Sequence, residues 1–122
     1  MSTELDVTRG DTVPLFCDVV NFSGDLTLAS SRVTFTVKRH KSDSDSDALI
    51  ALTKASGRIT AAGARLDWEI RPRDYDVMGS VVRDTKLYWD LQLTDVAVSP
   101  PTVYSLDSGV LVVMPEVRRG VA

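Results

Sequence analysis

Few side chains in this 122-residue sequence are of types that do chemistry, and their spacing narrows the choices further. The most conspicuous run is Ser42-Asp43-Ser44-Asp45-Ser46-Asp47. Its alternate aspartates imitate the opening of a calcium loop, where oxygens at the first, third and fifth positions converge on the ion. The imitation stops there. Ala48 stands where the turn glycine belongs, and Lys54 where the bidentate glutamate belongs. The run reads instead as a solvated, self-repelling loop. The basic quartet Lys38, Arg39, His40 and Lys41 precedes it directly and could contact phosphate, yet four bases beside three acids make a poor nucleic-acid site.

Cys17 is the single cysteine and His40 the single histidine. Cys17 falls at an apolar position of an alternating segment, where a thiol behaves as a small hydrophobe rather than a nucleophile. His40 has no second histidine or cysteine nearby with which to share a metal. A Cys17–His40–Asp arrangement in space has no support from spacing, and the sequence lacks G-x-S-x-G, P-loop, H-E-x-x-H and C-x-x-C patterns. The acid pairs Asp67 with Glu69 and Asp74 with Asp76 fall on outward strand positions or at a helix start. Asn21-Phe22-Ser23 matches a glycosylation acceptor, which has meaning only on a secretory route. The residues therefore predict no enzyme, no metal and no cofactor.

The elements that carry these residues have a period of two. Val13, Leu15, Cys17 and Val19 fall at alternate positions and face one way, and Val33, Phe35 and Val37 alternate with threonines. Leu66, Trp68 and Ile70 face Asp67, Glu69 and Arg71 across one strand. Leu87, Trp89, Leu91 and Leu93 do the same against Tyr88, Asp90, Gln92 and Thr94. These ten residues — Val33, Phe35, Val37, Leu66, Trp68, Ile70, Leu87, Trp89, Leu91 and Leu93 — form the expected core. Tryptophans in phase with leucines belong inside. Sugar-stacking aromatics would face outward, and Tyr88 and Tyr104 are the candidates for that face.

Strands are expected at 13–20, 32–38, 48–53, 65–71, 86–94, 102–106 and 110–114, with an eighth at 5–8. Asn21 to Asp25, Ser56-Gly57, Ala62-Gly63 and Ser99-Pro100-Pro101 punctuate them. Asp107-Ser108-Gly109 is expected to be a hairpin turn between the last two strands. Pro72 to Gly79 is the one stretch with helical signals, and one turn is its limit. Short strands at this spacing predict an all-β, antiparallel, Ig-like sandwich of about seven or eight strands in a single domain, 1–122.

Composition agrees. Hydrophobic residues are 43% and charged residues 25%, which suits one globular domain that needs no staple at this length. Fourteen Lys and Arg against seventeen Asp and Glu leave a net charge of −3, which argues against binding nucleic acid or an anionic membrane. The longest uncharged apolar run, Val110 to Pro115, is far short of a membrane span. The ends, 1–8 and 116–122, carry little to bury and are expected to be flexible. Leu5, Val7, Val117, Arg118 and Arg119 are the candidate partner-binding residues there.

The order of segments resembles a known family. Arg9-Gly10-Asp11-Thr12 is followed by Leu26-Thr27-Leu28, then Val33-Thr34-Phe35-Thr36-Val37-Lys38. Tyr88-Trp89-Asp90-Leu91-Gln92 comes next, then Tyr104-Ser105-Leu106 with Ser108-Gly109, and Val112 to Val117 closes the series. This order is similar to that of small Ig-like β-sandwich modules of tailed bacteriophages and prophages, such as the N-terminal domain of baseplate upper proteins. The family's L-T-G stands here as Leu26-Thr27-Leu28, which leaves Ser23-Gly24 to supply the turn. The resemblance implies a non-enzymatic virion structural protein, made in the host bacterial cytoplasm. Such a protein would dock in several copies onto other virion proteins of the tail, baseplate or head–tail region. A capsid decoration protein is the alternative within that class, and a carbohydrate- or protein-binding adhesion module is the alternative outside it. No small-molecule substrate is implied.

Overall fold

The computed structural model describes residues 2–19, 31–62, 65–78, 83–95 and 102–115. Among the described residues, eight strands run in chain order: β1 (Ser2–Thr8), β2 (Val13–Asp18), β3 (Arg32–Lys38), β4 (Ile50–Thr53), β5 (Ile59–Ala62), β6 (Arg65–Ile70), β7 (Thr85–Asp95) and β8 (Thr102–Met114). They form a five-stranded sheet in the order β1-β8-β7-β3-β4 and a three-stranded sheet in the order β2-β6-β5. The core lies between the two sheets. In the Ig scheme, β2, β6 and β5 take the places of strands B, E and D, while β8, β7, β3 and β4 take those of G, F, C and C′. The chain is an Ig-like sandwich.

Alternation explains why each strand lies as it does. Val33, Phe35 and Val37 on β3, Leu87, Trp89, Leu91 and Leu93 on β7, and Leu66, Trp68 and Ile70 on β6 are all buried, none more than 7% exposed. β-Branched Thr34 and Thr36 fill the intervening positions, Thr36 itself being buried, which suits a pleated strand better than a helix. Phe35 sits at the centre. Its ring centroid is 5.3 Å from that of Trp68 on the opposite sheet and 5.9 Å from that of Trp89 on its own. Tilted aromatic pairs at these distances add about 0.5–1.5 kcal/mol each beyond burial.

Two glycines set the turns. Asp11 N–H donates to Thr8 O over 3.0 Å and Gly10 has φ 93°, the type II geometry that requires a positive φ at the third residue. Arg9-Gly10-Asp11 is therefore the turn that takes the chain from one sheet to the other. After β4, Gly57 N–H bonds Lys54 O and Arg58 N–H bonds Thr53 O, with Gly57 at φ 84°. That turn again carries the chain between sheets.

Four expectations change. Residues 2–8 are not a spare end: β1 pairs in parallel with β8 from Ser2↔Ser108 to Thr8↔Met114, the only parallel ladder among the described residues. The residues at 102–106 and 110–114 belong to one strand, and Asp107-Ser108-Gly109 is no turn. β7 pairs with β8 from Thr102 to Val113, and a bulge at Leu106 absorbs the irregularity. Gly109 lies opposite Trp89. The segment after Gly57, to which the sequence pattern assigns no strand, is a paired strand, β5. Among the described residues, Pro72–Met78 is the expected helical segment, while a second 3₁₀ turn at Asp45–Asp47 lies inside the acidic run, where the sequence predicts only loop. The turn clusters at 21–25 and 99–101 lie outside the described residues.

Candidate functional site: the edge of β2 and the outer face of the larger sheet

The residues expected to meet a partner are divided by the structure. Val7 is 4% exposed and points into the core, and Leu5 packs against that core from the same face of β1. Parallel pairing with β8 puts the odd residues of β1 inward, so neither side chain is presented to a partner. Val117, Arg118 and Arg119 lie outside the described residues.

The acidic loop is organised by its own hydrogen bonds. Asp43 Oδ2 accepts from the His40 backbone N–H at 3.2 Å, and Asp47 Oδ2 accepts from Ser44 Oγ at 3.1 Å. These oxygens hold the loop's backbone and hydroxyls rather than converging on one point. Among the described residues, no group of three His, Cys, Asp or Glu side chains is placed to hold a metal. No helix of the described residues is long and apolar enough to cross a membrane.

Cys17 is half-buried on the inward face of β2. Burial raises its thiol pKa, and the nearby carboxylates of Asp107 and Asp18 raise it further. A protonated thiol is a poor nucleophile. Cys17 lines a narrow slot of about 120 Å³ with Leu5, Leu15, Trp89 and Asp107, at the side where the two sheets part.

Surfaces are more informative. β2 ends the three-stranded sheet, and among the described residues it pairs only with β6. Its outward side carries Pro14 and Phe16, and Phe16 is 59% exposed. The Arg65 guanidinium lies 4.2 Å from the Phe16 ring centroid and is held there by Asp67 Oδ1, 3.0 Å from Arg65 Nε. Sequence reasoning passed over Phe16 because attention rests on the inward phase of an alternating strand. An aromatic residue at an outward position of Val13 to Val19 was the available signal.

The outer face of the larger sheet has a cleft of about 300 Å³. Lys38 of β3, Tyr88 of β7 and Val110 of β8 form one cross-strand row, and Asp90 lies opposite Ser108 in the next. Lys41 reaches in from the loop after β3, with Nζ 5.4 Å from the Tyr88 ring centroid, and Lys86 Nζ lies 5.8 Å from the same centroid. Ser105 Oγ donates to Asp90 Oδ1 at 3.2 Å. Tyr88 was legible as an outward aromatic. Its partners were not, because register brings them together from three strands. Tyr104, the other candidate, is 40% exposed on β8 opposite Leu93 and is not part of this cleft.

Compared with known proteins, the sequence matches no family model and no curated protein.

Proposed function

We propose that this chain is a non-enzymatic structural module of a bacteriophage virion. In this reading it docks onto neighbouring virion proteins of the tail, baseplate or head–tail region through a sheet edge. The observation that carries the docking is the edge of β2, unpaired on one side among the described residues and carrying the exposed ring of Phe16. An end strand presents backbone donors and acceptors to any strand laid beside it. Main-chain bonds then supply affinity, and outward side chains such as Phe16 supply selectivity. Large exposed aromatics are frequent anchors at interfaces. The Ig-like sandwich and the ordered motifs from Arg9-Gly10-Asp11-Thr12 to Val112 support the virion setting.

The experiment is incorporation into particles. Phe16→Asp should leave the melting temperature within a few degrees of the wild type, since the ring is mostly in water, while depleting the protein from purified virions. Quantitative mass spectrometry of those virions separates the two locations. Tens of copies or fewer mean a tail or baseplate site, and hundreds mean decoration of the capsid. Absence of the wild-type chain from every particle fraction would sink the proposal.

A further inference from the structure

The cleft on the outer face of the five-stranded sheet lies on the opposite sheet from β2, and docking through the β2 edge makes no use of it. Its lining combines four chemistries in one concavity: the ring of Tyr88, the ammonium groups of Lys38 and Lys41, the carboxylate of Asp90, and the hydroxyls of Ser105 and Ser108. We propose that this cleft binds a saccharide bearing an acidic group, with Tyr88 as the stacking platform.

Size favours a small ligand. About 300 Å³ is at the lower end of ligand pockets, suiting one or two rings rather than an extended chain in cross-section. The arrangement across the sheet is directional. The row formed by Lys38, Tyr88 and Val110 is adjacent to the row formed by Asp90 and Ser108, one step along β7 and β8. Positive charge therefore gathers at one end, where Lys41 lies over the Tyr88 ring and, as an exposed loop side chain, swings aside for a sugar to stack there, while hydrogen-bonding oxygens gather at the other. A sugar ring has one face of C–H groups, which packs on an aromatic ring. Its edge of hydroxyls needs acceptors and donors together, and a carboxylate beside two serines supplies both.

The lysines give the acidic preference. Lys41 and Lys86 place ammonium groups 5.4 and 5.8 Å from the centre of one ring, and Lys38 stands in the neighbouring strand of the same row. This gathers positive charge on a chain whose net charge is −3. An ammonium is a point charge with three donors, which serves a carboxylate or a phosphate ester equally. Single-stranded nucleic acid also stacks on aromatic rings and meets lysines. Asp90 at the far end of the cleft opposes it, since a phosphate on each successive nucleotide would be driven against a carboxylate.

The test is titration of the isotope-labelled protein, followed by backbone amide shifts of β7 and β8. The probes are the monosaccharide galacturonate, a hexose phosphate, the neutral monosaccharide galactose, and a short oligothymidylate. The expected result is saturable shifts at 85–95 and 102–114 with an acidic probe, at a dissociation constant on the order of 1 mM or below. Carboxylate and phosphate are distinguished by which of the two acidic probes binds more tightly. Tyr88→Ala should weaken that binding at least roughly tenfold, equivalent to about 1.4 kcal/mol. Should Tyr88→Ala fail to fold, Lys41→Gln is the second variant: Lys41 is exposed in a loop, and its loss should weaken the acidic probe several-fold while leaving the melting temperature unchanged. Equal binding of galactose would overturn the acidic preference. Tighter binding of oligothymidylate, or no saturation by any probe, would overturn the site.

Discussion

Arg58 holds Asp74 by a paired contact across the chain: Nη1 donates to Oδ1 at 3.0 Å and Nη2 to Oδ2 at 2.6 Å. Nη2 also donates to the Glu69 carbonyl at 3.2 Å, and the Arg71 backbone N–H donates to Asp74 Oδ2 at 2.7 Å. The pair joins the start of β5 to the 3₁₀ turn after β6. Asp74 thus caps its own turn and anchors it to the neighbouring strand in a single side chain. Both partners are mostly buried, at 21% and 11% side-chain exposure, so solvent screening is limited. Fork-to-fork geometry of this kind is the strong form of a charged hydrogen bond.

Loss of the pair should be measurable. Asp74→Ala leaves the guanidinium partly buried without a counter-ion, at a cost of about 2–4 kcal/mol. Urea unfolding checks the magnitude, and a change below about 0.5 kcal/mol would show that the contact contributes little. Arg58→Lys should be only a partial rescue, because an ammonium cannot reproduce the paired geometry.

Acid should act through the same carboxylate. Burial raises the Asp74 pKa, but the Arg58 hydrogen bonds, the Arg71 amide and both positive charges outweigh it, leaving the pKa below the usual carboxylate value. A pKa lowered on folding gives stability that is present above the unfolded value, about 4, and is lost as pH falls through the folded value. Melting temperatures taken from neutral pH down to about pH 3 should therefore fall more steeply for the wild type than for Asp74→Asn. Parallel curves would assign the acid sensitivity to other carboxylates.

Alkali should act through Tyr75. This side chain is fully buried in the 3₁₀ turn between β6 and β7, and its hydroxyl has no hydrogen-bond partner among the described residues. Burial first, then the charges of Asp11 and Asp74, push its pKa up to about 12. A raised pKa gives stability that is complete below the unfolded value, about 10, and is lost as pH rises towards the folded one. Tyr75→Phe removes both the unpaired hydroxyl and the titration. The variant should match or exceed the wild type by up to about 1 kcal/mol at neutral pH and lose less above about pH 10. A variant destabilised by more than about 2 kcal/mol would mean that the hydroxyl makes a needed bond.

Period-two alternation made the sandwich legible. Leu87, Trp89, Leu91 and Leu93 can face one way only if β7 is a strand buried on one side, and the same holds for Leu66, Trp68 and Ile70 on β6. Pairing was less legible, because it is decided between strands. Asp107-Ser108-Gly109 has the composition of a turn, yet β7 lies alongside and the ladder continues through it. Leu5 and Val7 alternate too briefly to reveal a partner, and nothing local shows that β1 lies parallel to β8. Arg58 and Asp74 are 16 residues apart, and the cleft around Tyr88 takes side chains from two further strands and a loop. Such constellations exist only once register is set.

The aromatic centre gives a stability prediction. Trp89 is 6% exposed and its ring lies 5.9 Å from Phe35, so truncation opens a large cavity between the sheets. Trp89→Ala should lose about 3–5 kcal/mol. That is a large share of the roughly 5–15 kcal/mol usual for a domain. Chemical denaturation followed by circular dichroism checks it, and a loss under about 1 kcal/mol is incompatible with this packing.

The last prediction separates a spare N-terminus from a structural one. β1 has two faces: Val7 is buried beside Leu111 and Val113, while Asp6 is exposed on the other side. Val7 lies in register with Val113, and Asp6 with Val112. Val7→Asp would bury a carboxylate among aliphatic side chains, a change that costs several kcal/mol unless the group takes up a proton. Asp6→Lys, one residue away, should change stability by no more than about 0.5 kcal/mol, as surface substitutions generally do. Thermal melts of the two variants side by side are the measurement. A large gap between them places β1 in the folded domain. Two melts that both coincide with the wild type would return residues 2–8 to the status of a free arm, available to partners and dispensable to the sandwich.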